Sequence, residues 1–330
     1  MKGEELLRDR TFHHTDFSEK ARLVDQKIEQ GLRISLAFPT LNEEATIGKE
    51  VLILKTELME RYPLLDEIVV IDSGSIDRTR DIARENGARV YSSQDILRSL
   101  GTHRGKGENL WKSLFVLEGD LIVWIDADIS NIAPKFVYGL LGPLLRDPKI
   151  EYVKAFYERP FRAAGGLVAA GGGRVTEILV RPLFSLYYPD LACLVQPLSG
   201  EYAGRRSLLE RLPFSVGYGV EIGHLIDIFH LAGINAFAQV NMDTRIHRNQ
   251  PLTSLGRMAF GILATFSQRM AKYGRVGLPA EIGIEHLAVS LAENLPQLEA
   301  TRVSSEERPP IVELEEYRRK FHREGRTRSV

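Results

Sequence analysis

The 330-residue chain has a single cysteine, Cys193, so no intrachain disulfide can form and a thiolate zinc site would lack ligands. It also lacks a long apolar run: stretches such as Ala259 to Phe266 reach about half of the ~18 residues that a membrane span requires. The first 30 residues intersperse Arg10, His13, His14, Asp16, Glu19 and Lys20 with apolar side chains, unlike the continuous apolar stretch of a secretory signal. Neither sign of charge is in excess, with 43 Lys plus Arg against 44 Asp plus Glu. No global field therefore recruits nucleic acid or an anionic membrane, and anion recognition must come from local clusters. With 44% hydrophobic and 26% charged residues the chain is neither disordered nor fibrous, and has room for one large core or two fused lobes. The expectation is a soluble protein of the reducing cytoplasm.

Up to about residue 155, short β-branched runs alternate with helical patterns. Strands are expected at Ile34 to Phe38, Glu67 to Asp72, Ala88 to Tyr91 and Leu121 to Ile125, with helices near 45 to 60 and 77 to 86. Crossovers of this length imply a largely parallel sheet covered on both faces. After a further run at Glu151 to Phe156 come clustered glycines, Gly165 to Gly173, read as a mobile loop feeding a helix from Arg174 to Tyr188. A helix near 219 to 232, a strand at Asn235 to Val240 and helical patterns near 254 to 272 and 278 to 300 follow. The last ~25 residues are charged enough to be a solvated helix or a frayed tail. The expected division is an extension at 1–30, a nucleotide-binding half at 31–155, an acceptor half at 156–253 and a helical region at 254–330.

Asp126-Ala127-Asp128 directly follows the apolar run Leu121 to Ile125. In extended backbone residues i and i+2 point to one side, so both carboxylates can meet one hard cation together with a diphosphate. Ligands of open α/β sheets bind outside the carboxyl ends of the strands, where this pair falls. An isolated Asp-x-Asp is equally compatible with a solvated turn. Two further strand ends, however, carry polar loops, Phe38-Pro-Thr-Leu-Asn-Glu-Glu44 and Asp72-Ser-Gly-Ser-Ile-Asp-Arg-Thr79. In the second, Gly74 suits a tight turn and Ser75 or Asp77 can cap the next helix. Gly105-Lys106-Gly107 opens a helix where backbone can approach a phosphate, although the spacing is not that of a Walker A loop. Gly171-Gly-Gly-Arg-Val-Thr176 is either a hinge or a cradle for a small carboxylate or phosphate. Arg245-Ile-His-Arg-Asn249 offers an imidazole as a third metal ligand and guanidinium groups for phosphate.

Together these segments resemble the retaining GT-A glycosyltransferases, specifically the glucosyl-3-phosphoglycerate synthases and their mannosyl-3-phosphoglycerate relatives. The resemblance spans roughly residues 33 to 270. Beyond the rim loops, Gly173-Arg-Val-Thr-Glu177, Gln196-Pro-Leu-Ser-Gly-Glu-Tyr202, Gly217-Tyr-Gly-Val-Glu-Ile-Gly223 and His247-Arg-Asn249 carry it. It implies an α/β, Rossmann-like nucleotide-sugar-binding fold with an α-rich C-terminal part. It also implies donor contacts from Pro39, Thr40, Leu41, Glu43, Ser73, Lys106, Asp126, Ala127, Tyr218 and Glu221. Mg²⁺ or Mn²⁺ would be held by Asp128 and His247 with Asp126 nearby. The acceptor 3-phosphoglycerate would meet Gly173, Arg174, Thr176 and Asn249. Asp126, Lys106, Glu221 and Leu198 would surround the reacting sugar, and the chain would form a homodimer. The donor would be UDP-glucose, GDP-glucose or GDP-mannose. Ala127 departs from the Ser that relatives often carry between the two aspartates. A polyprenyl-phosphate glycosyltransferase and a catalytically silent nucleotide-sugar-binding module are the other readings.

Overall fold

A computed structural model of the chain describes residues 2–159, 161–163, 166–168, 173–246, 252–275, 285–292, 295–303 and 306–322. Its centre is an eight-stranded sheet of β1 (Thr11–His13), β2 (Ile34–Thr40), β3 (Glu67–Asp72), β4 (Arg89–Ser92), β5 (Leu121–Trp124), β6 (Tyr152–Glu158), β7 (Tyr202–Arg205) and β8 (Phe237–Thr244). The spatial order is β1-β8-β6-β7-β5-β2-β3-β4. Every neighbouring pair is parallel except those made by β7, which runs antiparallel to both β5 and β6. The expected largely parallel α/β sheet is thus present.

The apolar runs are continuous because both faces are buried. Along β2, β3 and β5 alternate residues divide between two cores: Leu36, Phe38, Ile68, Val70 and Val123 to one, and Ala37, Val69, Ile71, Ile122 and Trp124 to the other. Helices Ile47–Lys55 and Lys135–Arg146 cover the first face, and helices Lys106–Val116 and Val220–Ala232 the second. The N-terminal residues are part of this packing. Thr11–His13 adds the edge strand to β8, and Phe17 lies so close over helix Lys135–Arg146 that a Cβ on Gly142 would fall 2.1 Å from its ring.

Two expectations at the C-terminal end are corrected. Helix Leu252–Lys272 forms, but the pattern near 278 to 300 gives an antiparallel hairpin, with Glu285–Ala292 paired to Leu295–Arg302. Leu287, Val289 and Leu291 alternate with period two, and Pro296 stands where a helix would need its amide. The charged tail does form a largely exposed helix, Glu315–Phe321, but it is docked rather than free. Glu307–Arg308 pairs with Phe214–Ser215, Arg308 meets Glu108 at 2.8 Å and lies over Trp111, and Ile311 and Tyr317 are fully buried. The glycine cluster at 165–173 falls mostly outside the described residues. Helix formation resumes with a wide turn at Thr176–Val180 that leads into Arg181–Tyr187.

His224, on helix Val220–Ala232, is fully buried with its ring edge-on to Phe214 at 4.3 Å, and neither ring nitrogen has a hydrogen-bond partner among the described residues. Burial brings its pKa down from 6.5 to about 3. Below pH 6.5 the unfolded chain takes up a proton here that the folded chain refuses, so stability falls as pH drops toward 3. Replacing His224 by Gln should lessen the loss of urea-unfolding free energy between about pH 6.5 and 4.5 by about 2 kcal/mol. Parallel pH profiles for the two proteins would show that the imidazole is not buried neutral.

Candidate active site

The chain order turns at β2: β3 and β4 lie on one side of it and β5 on the other, which opens a crevice at the carboxyl ends of these strands. The loops there are tied to each other. Asp72 is fully buried and accepts hydrogen bonds from the Gly74 and Ser75 amides at 2.9 and 3.0 Å. Ser75 Oγ accepts from the Asn42 amide at 2.8 Å, and Asn42 Oδ1 from the Ile76 amide at 3.0 Å. Asp77 accepts from the Thr79 amide at 3.0 Å. Asp72, Ser75 and Asp77 therefore build the turns, and of this loop Ser73 lines the crevice, held by Asn109 Nδ2 at 2.6 Å.

Asp126 and Asp128 lie just past the end of β5, where the chain turns, and both carboxylates reach one guanidinium, that of Arg245. Lys106, first residue of helix Lys106–Val116, places Nζ 2.6 Å from Asp126 Oδ1 and 2.9 Å from Glu221 Oε1. The helix comes this close because Gly107 lacks a side chain; a Cβ there would be 1.8 Å from the Ser215 carbonyl oxygen. On the other side Arg245 Nη2 lies 3.3 Å from Asp126 and 2.7 Å from Asp128, and its Nε is 3.0 Å from Glu201. Glu201 also accepts a hydrogen bond from the Tyr157 hydroxyl. Gly200 brings backbone against Asp126, since a Cβ would fall 1.8 Å from the carboxylate.

Burial opposes the charge of Lys106, but Asp126 and Glu221 more than reverse this and raise its pKa, so it is a permanent cation. Burial also works against ionised Asp126, and here Lys106 and Arg245 prevail and lower the pKa. Asp128 goes the other way: burial, with the like charge of Asp126, raises its pKa despite Arg245. Lys154, fully buried on β6, is brought down to about 7 by burial against the pull of Glu221, and donates to the Ser199 carbonyl at 2.5 Å.

Asp126, Asp128, Glu201 and Glu221 thus share two directly paired cations, Lys106 and Arg245. A hard divalent ion beside Asp126 and Asp128 suits their paired oxygen donors. His247 and Asn249, expected to ligate the ion and the acceptor, lie outside the described residues.

These groups open onto a cleft of about 720 Å³. Pro39, Thr40, Leu41, Glu43, Ser73, Lys106, Asp126, Ala127 and Asp128 line it from the first half of the chain, and Leu198, Tyr218 and Glu221 from the second. Gly173, Arg174 and Thr176 form part of the same wall. Arg245 is the main group that the sequence misplaced. Its guanidinium was expected to serve phosphate, but it is buried and engages three carboxylates. Glu201 and Lys154 received no role from the sequence, although a lysine inside the apolar run Tyr152-Val-Lys-Ala155 is a signal of a buried charge.

Residues 35–167 match the family model described as Glycosyl transferase family 2. A glucosyl-3-phosphoglycerate synthase from Petrotoga mobilis is 56% identical over 96% of this chain and 97% of its own. Among solved structures, mannosyl-3-phosphoglycerate synthase from Rubrobacter xylanophilus superposes with a TM-score of 0.86 at 36% identity, covering 94% of this chain and 97% of that one. Glucosyl-3-phosphoglycerate synthase from Mycobacterium tuberculosis, in complex with Mn²⁺, UDP and phosphoglyceric acid, gives 0.80 at 42% identity, covering 92% and 97%. With full-length similarity at this level, and a cleft built at the rim of a GT-A sheet, the chain belongs to the glucosyl-3-phosphoglycerate synthase family of glycosyltransferases.

Proposed function

We propose that this protein transfers glucose from a nucleoside-diphosphate glucose to 3-phosphoglycerate with retention at the anomeric carbon, giving glucosyl-3-phosphoglycerate. The observation that carries this reading is the chain of contacts Asp126–Lys106–Glu221, set in one cleft with Gly173, Arg174 and Thr176. Pro39 to Glu43 and Ser73 would hold the nucleotide, in the half formed by residues 31–155. Arg174 and Thr176, in the half formed by residues 156–253, would grip the acceptor, with Asn249. A bound Mg²⁺ or Mn²⁺, held by Asp128 and His247 with Asp126 beside it, would neutralise charge on the diphosphate.

Cleavage of the bond between the anomeric carbon and the phosphate oxygen leaves its electron pair on the diphosphate. Lys106 meets that charge as a fixed cation already oriented by Asp126 and Glu221, so little reorganisation is needed as charge develops. The acceptor hydroxyl bonds to the anomeric carbon on the face that the leaving group vacates, and its proton passes to the departing phosphate oxygen. Glu221 keeps Lys106 in place and, with Leu198 and Tyr218 of the same cleft, would face the sugar. We also read the chain as a cytoplasmic homodimer, with helix Leu252–Lys272, which exposes Leu252 and Leu263, contributing to the contact.

Purified protein incubated with Mg²⁺, 3-phosphoglycerate and a panel of uridine, guanosine and adenosine diphosphate sugars should form glucosyl-3-phosphoglycerate; turnover of GDP-mannose alone would assign the mannosyl reaction instead. Asp128→Ala should lower kcat/KM by at least about 100-fold, several kcal/mol of barrier. Unchanged activity would remove Asp128 from the ion site. Arg174→Ala should raise KM for 3-phosphoglycerate about 10- to 100-fold and leave donor affinity near wild type, as expected for loss of a charge-assisted contact to the acceptor alone. A hexose adduct on Glu221, seen by intact mass after quenching during turnover, would replace front-face attack with a covalent route.

A further inference from the structure

At the edge of the sheet away from the cleft walls, three metal-ligating side chains converge. His13 ends β1, His14 follows it, and Asp243 lies near the end of β8. One ligand atom from each can be chosen so that all lie within 4.8 Å of one another. His13 Nε2 is 2.8 Å from Asp243 Oδ1, and His14 Nε2 is 2.6 Å from Oδ2.

The imidazoles are oriented from behind. His13 Nδ1 lies 2.7 Å from Thr15 Oγ1 and, at a longer 3.4 Å, from the Thr15 amide, and His14 Nδ1 lies 3.2 Å from the Tyr138 hydroxyl, which leaves both Nε2 atoms aimed at the carboxylate. A partner on the far ring nitrogen is the arrangement that fixes metal-binding histidines. The carboxylate is aimed by the backbone. The pairing of β8 with β6 is interrupted between Asn241 and Thr244, and Asp243 has φ +60°, a conformation uncommon outside glycine. The resulting bend directs its side chain toward the two imidazoles.

We propose that His13, His14 and Asp243 form a site for a divalent transition ion of the Zn²⁺ or Co²⁺ type, separate from the catalytic cleft. Two imidazole nitrogens and one carboxylate oxygen suit such ions and leave positions for water, whereas Mg²⁺ prefers an all-oxygen set. Lys135 Nζ, 2.6 Å from Asp243 Oδ2, occupies one oxygen only. The ion takes Oδ1 with the two Nε2 atoms while Lys135 keeps Oδ2. Partial exposure of Asp243 and His13 screens the repulsion between ion and ammonium. The ion would fasten the N-terminal segment to the end of β8, two residues before Arg245.

Full-length Asp128→Ala/His247→Ala protein, which lacks the catalytic ligands proposed above, should bind one equivalent of Co²⁺ with a visible absorption band, and Zn²⁺ should displace it while excess Mg²⁺ does not. Adding His13→Asn/His14→Gln should weaken Co²⁺ binding at least about 10-fold, with circular dichroism reporting whether the fold is kept. If that protein fails to fold, Asp243→Asn is read in the same way. Absence of Co²⁺ binding in the parent variant, or binding that survives these substitutions unchanged, would overturn the proposal.

Discussion

Asp126 and Asp128 leave a buried strand side by side, and two carboxylates this close, each partly shielded from water, rely on cations to offset their mutual repulsion. Lys106 arrives from one side on a helix that glycine allows to approach. Arg245 arrives from the other on the chain that leaves β8. Elements some 140 residues apart in sequence, as the residue numbers 106 and 245 imply, are thus fixed relative to one another by the charge that they share. Among the described residues these two cations pair directly with four carboxylates, Asp126, Asp128, Glu201 and Glu221, so one charged centre joins both halves of the chain.

Much of this was legible in the sequence for physical reasons. Strands buried on both faces write themselves as unbroken apolar runs, and the turn residues after β2, β3 and β5 mark where polar loops must collect. The rim loops with Asp126 and Asp128 could be placed on those grounds, and Lys106 and the Gly173–Thr176 wall from glycines that open helices, the latter with a hinge as the alternative. What escaped depended on partners remote in sequence. Arg245 looks the same whether it binds phosphate or three carboxylates, and only the arrival of β8 beside β6 decides. The hairpin at 285–302 was hidden because Glu, Leu and Ala favour helix, although Leu287, Val289 and Leu291 recur every second residue. The charged tail looked solvated because Arg308 gives no local sign that Glu108 and Trp111 await it.

Several buried polar groups keep neighbouring backbone in place rather than face solvent. Lys154 secures the Ser199 carbonyl, Asp72 gathers the amides of its own turn, and Arg206 donates to the carbonyls of Leu114, Leu117 and Gly119. Each such contact trades the cost of burial for a fixed loop position. Asp72 and Lys154 do this beside the cleft, where Ser73 and Gly200 line the wall, whereas Arg206 ties the chain together at the amino end of β5.

The antiparallel strand β7 has a consequence of another kind. In a wholly parallel sheet each chain segment at the reactive edge departs from a strand, whereas the segment Leu198 to Glu201 arrives there and then enters β7 beside Trp124. Its downstream end is anchored by sheet pairing and Ser199 by Lys154, while just upstream Gln196 donates to the carbonyl of Tyr157, whose hydroxyl meets Glu201. The antiparallel strand thereby delivers to the rim an incoming segment that sets backbone against Asp126 and a carboxylate against Arg245, a junction that outgoing strand ends alone would not make.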